Sequence, residues 1–213
     1  MDNIYSFSKE ESDRFKMNIV RAKVNEINLK ELSSNIFKYK TDIMFLRIPC
    51  EKIETLSEIN QLGFNYIQTD TLVYYSVDFS KYEPQGLINN DLLFEEANSS
   101  HFLLIDKLVK AIFKGYTNHY NSNPYLRKDD ITEGYVEWVK NYIGGENKKV
   151  FLIYRNSEPI AFATCHNQND IAEGVLYGVL PEHSGGGVYS DIIRYTQKYY
   201  QQSGAKSMEV STQ

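Results

Sequence analysis

The run Pro181-Glu182-His183-Ser184-Gly185-Gly186-Gly187 constrains this chain most. It joins a strand-like segment, Ile171 to Leu180, to a helix-like segment that continues to Ser203. In the latter, Val188, Ile192, Tyr195 and Tyr199 recur at i, i+4, i+7 and i+11, one apolar stripe of a helix. A glycine turn at a helix N-terminus lets backbone N–H groups and the helix dipole approach an anion closely. A permissive turn without a ligand is the plain alternative, but the flanking strand and amphipathic helix favour the anion reading. A Walker A loop would need Lys and then Ser or Thr after its last glycine, where Val188 and Tyr189 stand. A dinucleotide fingerprint would need glycine at Ser190. Glu209 sits at about the right distance for it, but between core-facing Met208 and Val210.

The rest of the chain supplies an α/β frame. Ser8 to Leu32 carries Phe15, Ile19, Val24 and Ile27 at a spacing that predicts an amphipathic helix. Ile43 to Ile48 reads as a strand stopped by Pro49, Glu51 to Leu62 as a helix, and Phe64 to Val77 as a β-rich hairpin turning at Thr69-Asp70. Residues 80 to 90 hold Pro84 and Gly86 and read as a seam. A strand at Leu92 to Glu96 follows, then a helix with Leu103, Leu104, Leu108, Ile112 and Phe113 on one face. Gly115 to Arg127 is an aromatic, amide-rich loop, and Asp129 to Tyr142 is a second helix carrying Val136 and Trp138. Val150 to Tyr154, Ile160 to Cys165 and Ile171 to Leu180 form an antiparallel meander. After the glycine turn and its helix, Met208, Val210 and Thr212 alternate on a last strand, reached by a right-handed crossover. The expected domains are residues 1–80, a linker 81–90, and a core 91–213.

Composition narrows the function classes. With 42% hydrophobic and 14% aromatic residues and five prolines in 213, the chain can build a core and disorder is disfavoured. A net charge of −5 argues against a general nucleic-acid binder. Cys50 and Cys165 stand far apart, so neither a disulfide framework nor a zinc site is expected. His101, His119, His166 and His183 share no ligand spacing, and no metal is expected. No apolar run is long enough to span a bilayer, and Met1 to Ile4 is no leader; the expectation is a cytoplasmic protein without membrane contact.

The stretch Val179 to Val188 resembles motif A of the GNAT N-acetyltransferase superfamily, a strand ending in Val-x-Pro followed by a glycine loop that grips the pyrophosphate of coenzyme A. The meander before it and the helix–Gly–strand after it match that superfamily in order. More narrowly, the chain is similar to the dTDP-fucosamine (amino-sugar) acetyltransferase family. That likeness rests on Ile48-Pro49 with Leu62-Gly63-Phe64, on Tyr135 to Trp138 after Asn123-Pro124, and on Val210 to Gln213. It departs from the pattern at Ser184, where Arg or Gln is usual, and at Tyr189, where Gly or Ala is commoner.

The resemblance implies a mixed-sheet GNAT-like core preceded by a smaller, partial GNAT-like α/β module, with acetyl-CoA as co-substrate. Val179 and Leu180 would offer backbone N–H groups to pantetheine and the thioester carbonyl. Ser184, Gly185, Gly186, Gly187, Val188, Tyr189 and Ser190 would hold the pyrophosphate. Glu173 is the candidate base, with a solvated carboxylate at a hairpin end as the plain alternative. Tyr116, Asn118 and Tyr120, in the loop Tyr116 to Tyr125, would face the acceptor, a primary amine of a nucleotide-linked amino sugar for surface polysaccharide. A homodimer is left open. The family continues beyond the segment matching Gln213 with strands and a tyrosine acid, and Ile43 to Val77 resembles that segment; this stretch either packs beside the last strand, in the same or a neighbouring chain, or is an inert companion domain. A non-catalytic acyl-CoA-binding module, or acetylation of a peptide or other small amine, stays open beside the amino-sugar reading.

Overall fold

A computed structural model describes residues 3–213, which divide into two compact units. The smaller comprises residues up to Thr71 together with Thr117–Ile131; the larger comprises Leu72–Tyr116 and Thr132–Gln213.

The small unit is built from β1 (Ile4–Phe7), α1 (Lys9–Phe15), β2 (Ile19–Lys23), α2 (Leu29–Tyr39), β3 (Ile43–Arg47) and α3 (Ser57–Gln61). Its sheet runs β1-β2-β3, with β1 antiparallel and β3 parallel to β2. The helix expected over Ser8 to Leu32 is instead α1, β2 and the start of α2. Lys16 turns left-handed (φ 57°) and ends α1 after two turns. The adjacent β-branched Ile19 and Val20 are both fully buried, as a central strand covered on both faces requires and one helix face does not. Asn28 caps α2 by accepting from the Lys30 and Glu31 amides. The helix expected over 51–62 is mostly a 3-10 segment, Cys50–Leu56, leaving only the short α3. The hairpin expected over Phe64 to Val77 does not form: a strand begins only at Val73.

The large unit contains β4 (Val73–Asp78), β5 (Leu92–Glu96), α4 (Phe102–Ile112), the body of α5 (Lys128–Lys140), β6 (Lys148–Arg155), β7 (Glu158–Gln168), β8 (Ile171–Val179), α6 (Val188–Gln202) and β9 (Ser207–Thr212). Its six strands are ordered β4-β9-β8-β7-β6-β5. Both meander turns carry two consecutive residues at positive φ, Asn156-Ser157 (50°, 66°) and Asn169-Asp170 (53°, 63°), the backbone that two-residue hairpins need. The sheet is apolar on both faces. Phe151, Ile153, Ala161 and Ala163 pack with Ile192 and Tyr200 of α6. Val150, Leu152 and Phe162 pack with Ile105 and Val109 of α4 and with Val136 and Val139 of α5. Trp138, by contrast, is 43% exposed.

Of the Ile43–Val77 stretch, read as a flank of the last strand or as an inert companion, Val73 to Val77 flanks that strand. They lie in β4, which runs antiparallel to β9 from Val73↔Thr212 to Asp78↔Ser207 and belongs to the large unit. Among the described residues, no helix is long and apolar enough to cross a membrane.

Candidate functional site: a forked strand and a glycine turn

Strand β8 changes partners along its length. Its first residues pair in parallel with β9, from Ile171↔Ser207 to Gly174↔Val210, and there the pairing stops. Opposite, on β7, Thr164 faces Leu176 while Cys165 faces Gly174, so Val175 is an extra residue. Such a bulge re-aims a strand where its pairing ends. From Val175 to Val179, β8 keeps β7 on one side and, among the described residues, has no strand partner on the other.

The direction of the backbone groups follows. The Leu180 N–H donates to the Ile160 carbonyl at 2.8 Å, so this amide is committed to β7. Groups alternate along an antiparallel strand, so Val179 and Tyr177 point their N–H groups to the open side. The expected amide pair, Val179 and Leu180, is therefore corrected to Tyr177 and Val179.

Beyond β8, Pro181–His183 make one 3-10 turn, and the chain passes through Gly185 (φ +83°) and Gly187 (φ +81°) into α6. Only glycine takes that backbone without strain. Gly187 sits at the N-cap and supplies no side-chain cap, so the first-turn amides of Val188, Tyr189 and Ser190 keep their donors.

These parts line one cleft of about 530 Å³. Ile112 and Phe113 come from the end of α4 and Tyr116 from the turn after it; Tyr177, Gly178 and Val179 from β8; Ser184, Gly185, Gly187, Tyr189 and Ser190 from the turn and α6. Among the described residues none of these carries a charged side chain. The donors are backbone amides and hydroxyls, a set that fits a diphosphate. Burial, and then Tyr116, raise the Tyr189 phenol above its ordinary range, so it stays protonated. The Tyr177 hydroxyl is engaged elsewhere, donating to Thr196 Oγ1 at 2.9 Å with Cys165 Sγ at 3.2 Å. Burial pushes the Cys165 thiol up to about 12. A larger, more open concavity of about 680 Å³ between Asp78–Ser80 and Lys206 shares no residue with this cleft.

Other sequence-selected residues fall outside the lining. Val188 is 1% exposed and belongs to the core. The Gly186 carbonyl accepts from Asn89. Glu173 lies just before the fork, on the sheet face opposite α6, with its Oε2 3.3 Å from His166 Nε2; His166 Nδ1 in turn lies 3.3 Å from the Tyr142 hydroxyl. Strand register sets Ser76, Glu209, Glu173 and His166 in a row across β4, β9, β8 and β7. Asn118 and Tyr120 belong to the small unit. Asn118 is buried and caps a 3-10 turn, while the Tyr120 hydroxyl donates to Glu11 and accepts from Arg21. Among the described residues, no three His, Cys, Asp or Glu side chains gather as metal ligands.

Sequence reasoning missed the Tyr177 amide, the Ile112–Phe113 wall, and a buried carboxylate, Asp191, at the first turn of α6. The signal for Asp191 was present: a charged residue beside Ile192 of the buried stripe. Burial works to raise this carboxyl, but the Ile88 amide, the Asn89 side chain and the Asn89 amide hold it below its ordinary range, with help from Arg194.

Two solved structures resemble the chain along nearly its whole length. A functionally unknown conserved protein from Staphylococcus epidermidis aligns at 15% identity with a TM-score of 0.63, covering 96% of this chain and 78% of that one. A GCN5-related N-acetyltransferase from Kribbella flavida aligns at 13% identity with a TM-score of 0.55, covering 92% and 71%. The fold is that of a GNAT acetyltransferase. No protein-family model matches the sequence, and no curated protein matches it significantly. Within this GNAT fold, the mixed six-stranded sheet is preceded by the small three-stranded one, as the sequence predicts.

Proposed function

We propose that the chain is an N-acetyltransferase that moves acetyl from acetyl-CoA to a primary amine. The observation that carries this reading is that backbone donors stand unpaired at the open edge of β8, at Tyr177 and Val179, and again from Gly185 to the first turn of α6. The Ser184 amide is held by the Pro181 carbonyl at 3.1 Å, so the amides of Gly185 to Ser190 would bind the diphosphate, and those of Val179 and Tyr177 the pantetheine arm and the thioester carbonyl. The amine nitrogen attacks the carbonyl carbon, and negative charge moves to the carbonyl oxygen, where a fixed N–H stabilises it. Collapse breaks the C–S bond and leaves an amide and a thiolate, which takes a proton. Tyr116 and Tyr189 are the phenols lining the cleft that can return one. Glu173, directly or through water, would take the proton from the amine.

For the acceptor, the reading is an amino-deoxy sugar on a nucleotide, for surface polysaccharide. Phe113, Tyr116 and Tyr189 support it by offering stacking faces and hydroxyls without charge. Glu173 is not among the cleft-lining residues, and this favours a second reading, a non-catalytic acyl-CoA-binding module. Titration with acetyl-CoA, then thiol release in the presence of 4-amino-sugar nucleotides, simple amines and a peptide N-terminus, separates the two. The expected result is turnover with an amine, reduced about a hundredfold or more in Glu173→Gln with acetyl-CoA affinity unchanged. Binding without turnover on any amine would leave the binding-module reading, and no binding would overturn both.

A further inference from the structure

Residues 84–90, part of the seam read over 80–90, run as a strap beside the glycine turn within the large unit. Their hydrogen bonds converge on Asp191, which is fully buried. Its Oδ1 accepts from the Ile88 amide at 2.6 Å, and its Oδ2 from the Asn89 amide and the Asn89 side chain, both at 2.8 Å. Arg194 ties the strap again by donating to the Gly86 carbonyl at 2.8 Å.

The Asn89 side chain does more than join this set. Its Nδ2 also donates to the Gly186 carbonyl at 2.9 Å, while its Oδ1 accepts from Arg155 Nη2 at 3.1 Å. The amide can sit only this way round, because a guanidinium only donates and a carboxylate and a carbonyl only accept. The Gly186–Gly187 peptide is trans, so the Gly187 N–H points opposite to the carbonyl that Asn89 holds. Ile88 closes the same side, its Cδ1 3.1 Å from where a Gly187 Cβ would lie. Gly187 itself lines the cleft.

We infer that Asn89 is a positioning residue for the glycine turn, locking the Gly186–Gly187 peptide so that the Gly187 amide is presented to the diphosphate of the acyl donor. This rests on the acetyltransferase reading above. Asn89 touches no ligand; it acts through the peptide it holds. Asn89→Ala keeps both backbone donors to Asp191 and removes only the side-chain clamp, which makes it the informative variant.

The experiment compares two acetyl donors, acetyl-CoA and S-acetylpantetheine, which lacks the diphosphate. In Asn89→Ala, KM and Kd for acetyl-CoA are expected to rise about three- to tenfold, the size of one hydrogen bond, with kcat unchanged. S-acetylpantetheine should bind wild type and variant alike. Equal acetyl-CoA affinity in variant and wild type overturns the inference and leaves the acetyltransferase reading standing. If Asn89→Ala weakens both donors equally, Asn89→Ser decides: loss confined to acetyl-CoA supports the inference, and equal loss overturns it. A wild-type chain that binds neither donor overturns the acetyltransferase reading and this inference with it.

Discussion

The two sheets hold their central strands by different means. In the six-stranded sheet, β6 and β7 bury apolar side chains on both faces, with Phe151, Leu152, Ile153, Ile160 and Phe162 no more than 1% exposed. In the three-stranded sheet, β2 buries Ile19 and Val20 and then presents Arg21. That guanidinium makes a two-point bond to Glu11 at 2.6 and 2.7 Å, donates to the Tyr120 hydroxyl at 2.7 Å, and lies 5.4 Å from the Phe45 ring centroid. Burial works to raise the Glu11 carboxyl, but bonds from Arg21, Tyr120 and Ser8 hold it below its ordinary range, so it stays ionised. An apolar core tolerates changes of pH but not of volume; a buried charged network has the opposite weakness. The network of the small sheet is completed by one side chain, Tyr120, that arrives from about a hundred residues later in the chain.

Three measurements would break or sharpen that contrast. The largest effect is expected from Phe162→Ala, which opens a cavity on the α4 face of the large sheet. It should cost about 3–5 kcal/mol in denaturant unfolding, with amide-exchange protection lost in β6 to β8 and kept in β2. Equal loss in both sheets would mean that the two do not hold themselves separately.

Glu11→Ala comes next. It leaves Arg21 and the Tyr120 hydroxyl without their shared acceptor and should cost about 1–3 kcal/mol, because Arg21 is itself partly exposed. Protection should fall over Ile19–Lys23. In a double-mutant cycle with Tyr120→Phe, the combined loss should be smaller than the sum; simple additivity would show that the network is not one unit.

The smallest effect is a pH dependence. Burial, and then Arg21, lower the His119 pKa below its ordinary 6.5, with Asp70 opposing. The unfolded chain then binds the proton first, so the small unit should lose stability as pH falls below about 6.5. Glu11 adds to this at lower pH, since its contribution is complete above the ordinary carboxylate value and fades as pH falls through the depressed one. His119→Phe should flatten the melting temperature between pH 5 and pH 7, a range that follows from the ordinary histidine value. An unchanged slope would assign the acid sensitivity to other groups.

Much of the large unit is legible in the sequence because its signals are local. The apolar runs of the meander, the Asn-Ser and Asn-Asp turns, the stripe Val188–Ile192–Tyr195–Tyr199 and the glycine turn each lie within a few residues, and each matches its element. The small unit is less legible for a local reason too: the Phe15–Ile19 spacing suits a helix, while the adjacent Ile19 and Val20 belong in a strand covered on both faces. Asn118 and Tyr120 show the same limit at the site. An amide and a phenol in a loop look available to a ligand until the fold gives them a turn to cap and a buried Glu11–Arg21 pair to complete.

By itself the sequence determined the meander strands of the large unit, their turns and the glycine loop at the mouth of α6, since these follow from side-chain pattern and from backbone angles open only to certain residues. Tertiary structure alone decided that β8 parts from β9 at Gly174 and that Asn89 reaches Asp191 across 102 positions. The physical reason is that sheet order and hydrogen bonds between distant segments depend on which surfaces meet when the chain collapses, and no short stretch of residues carries that information.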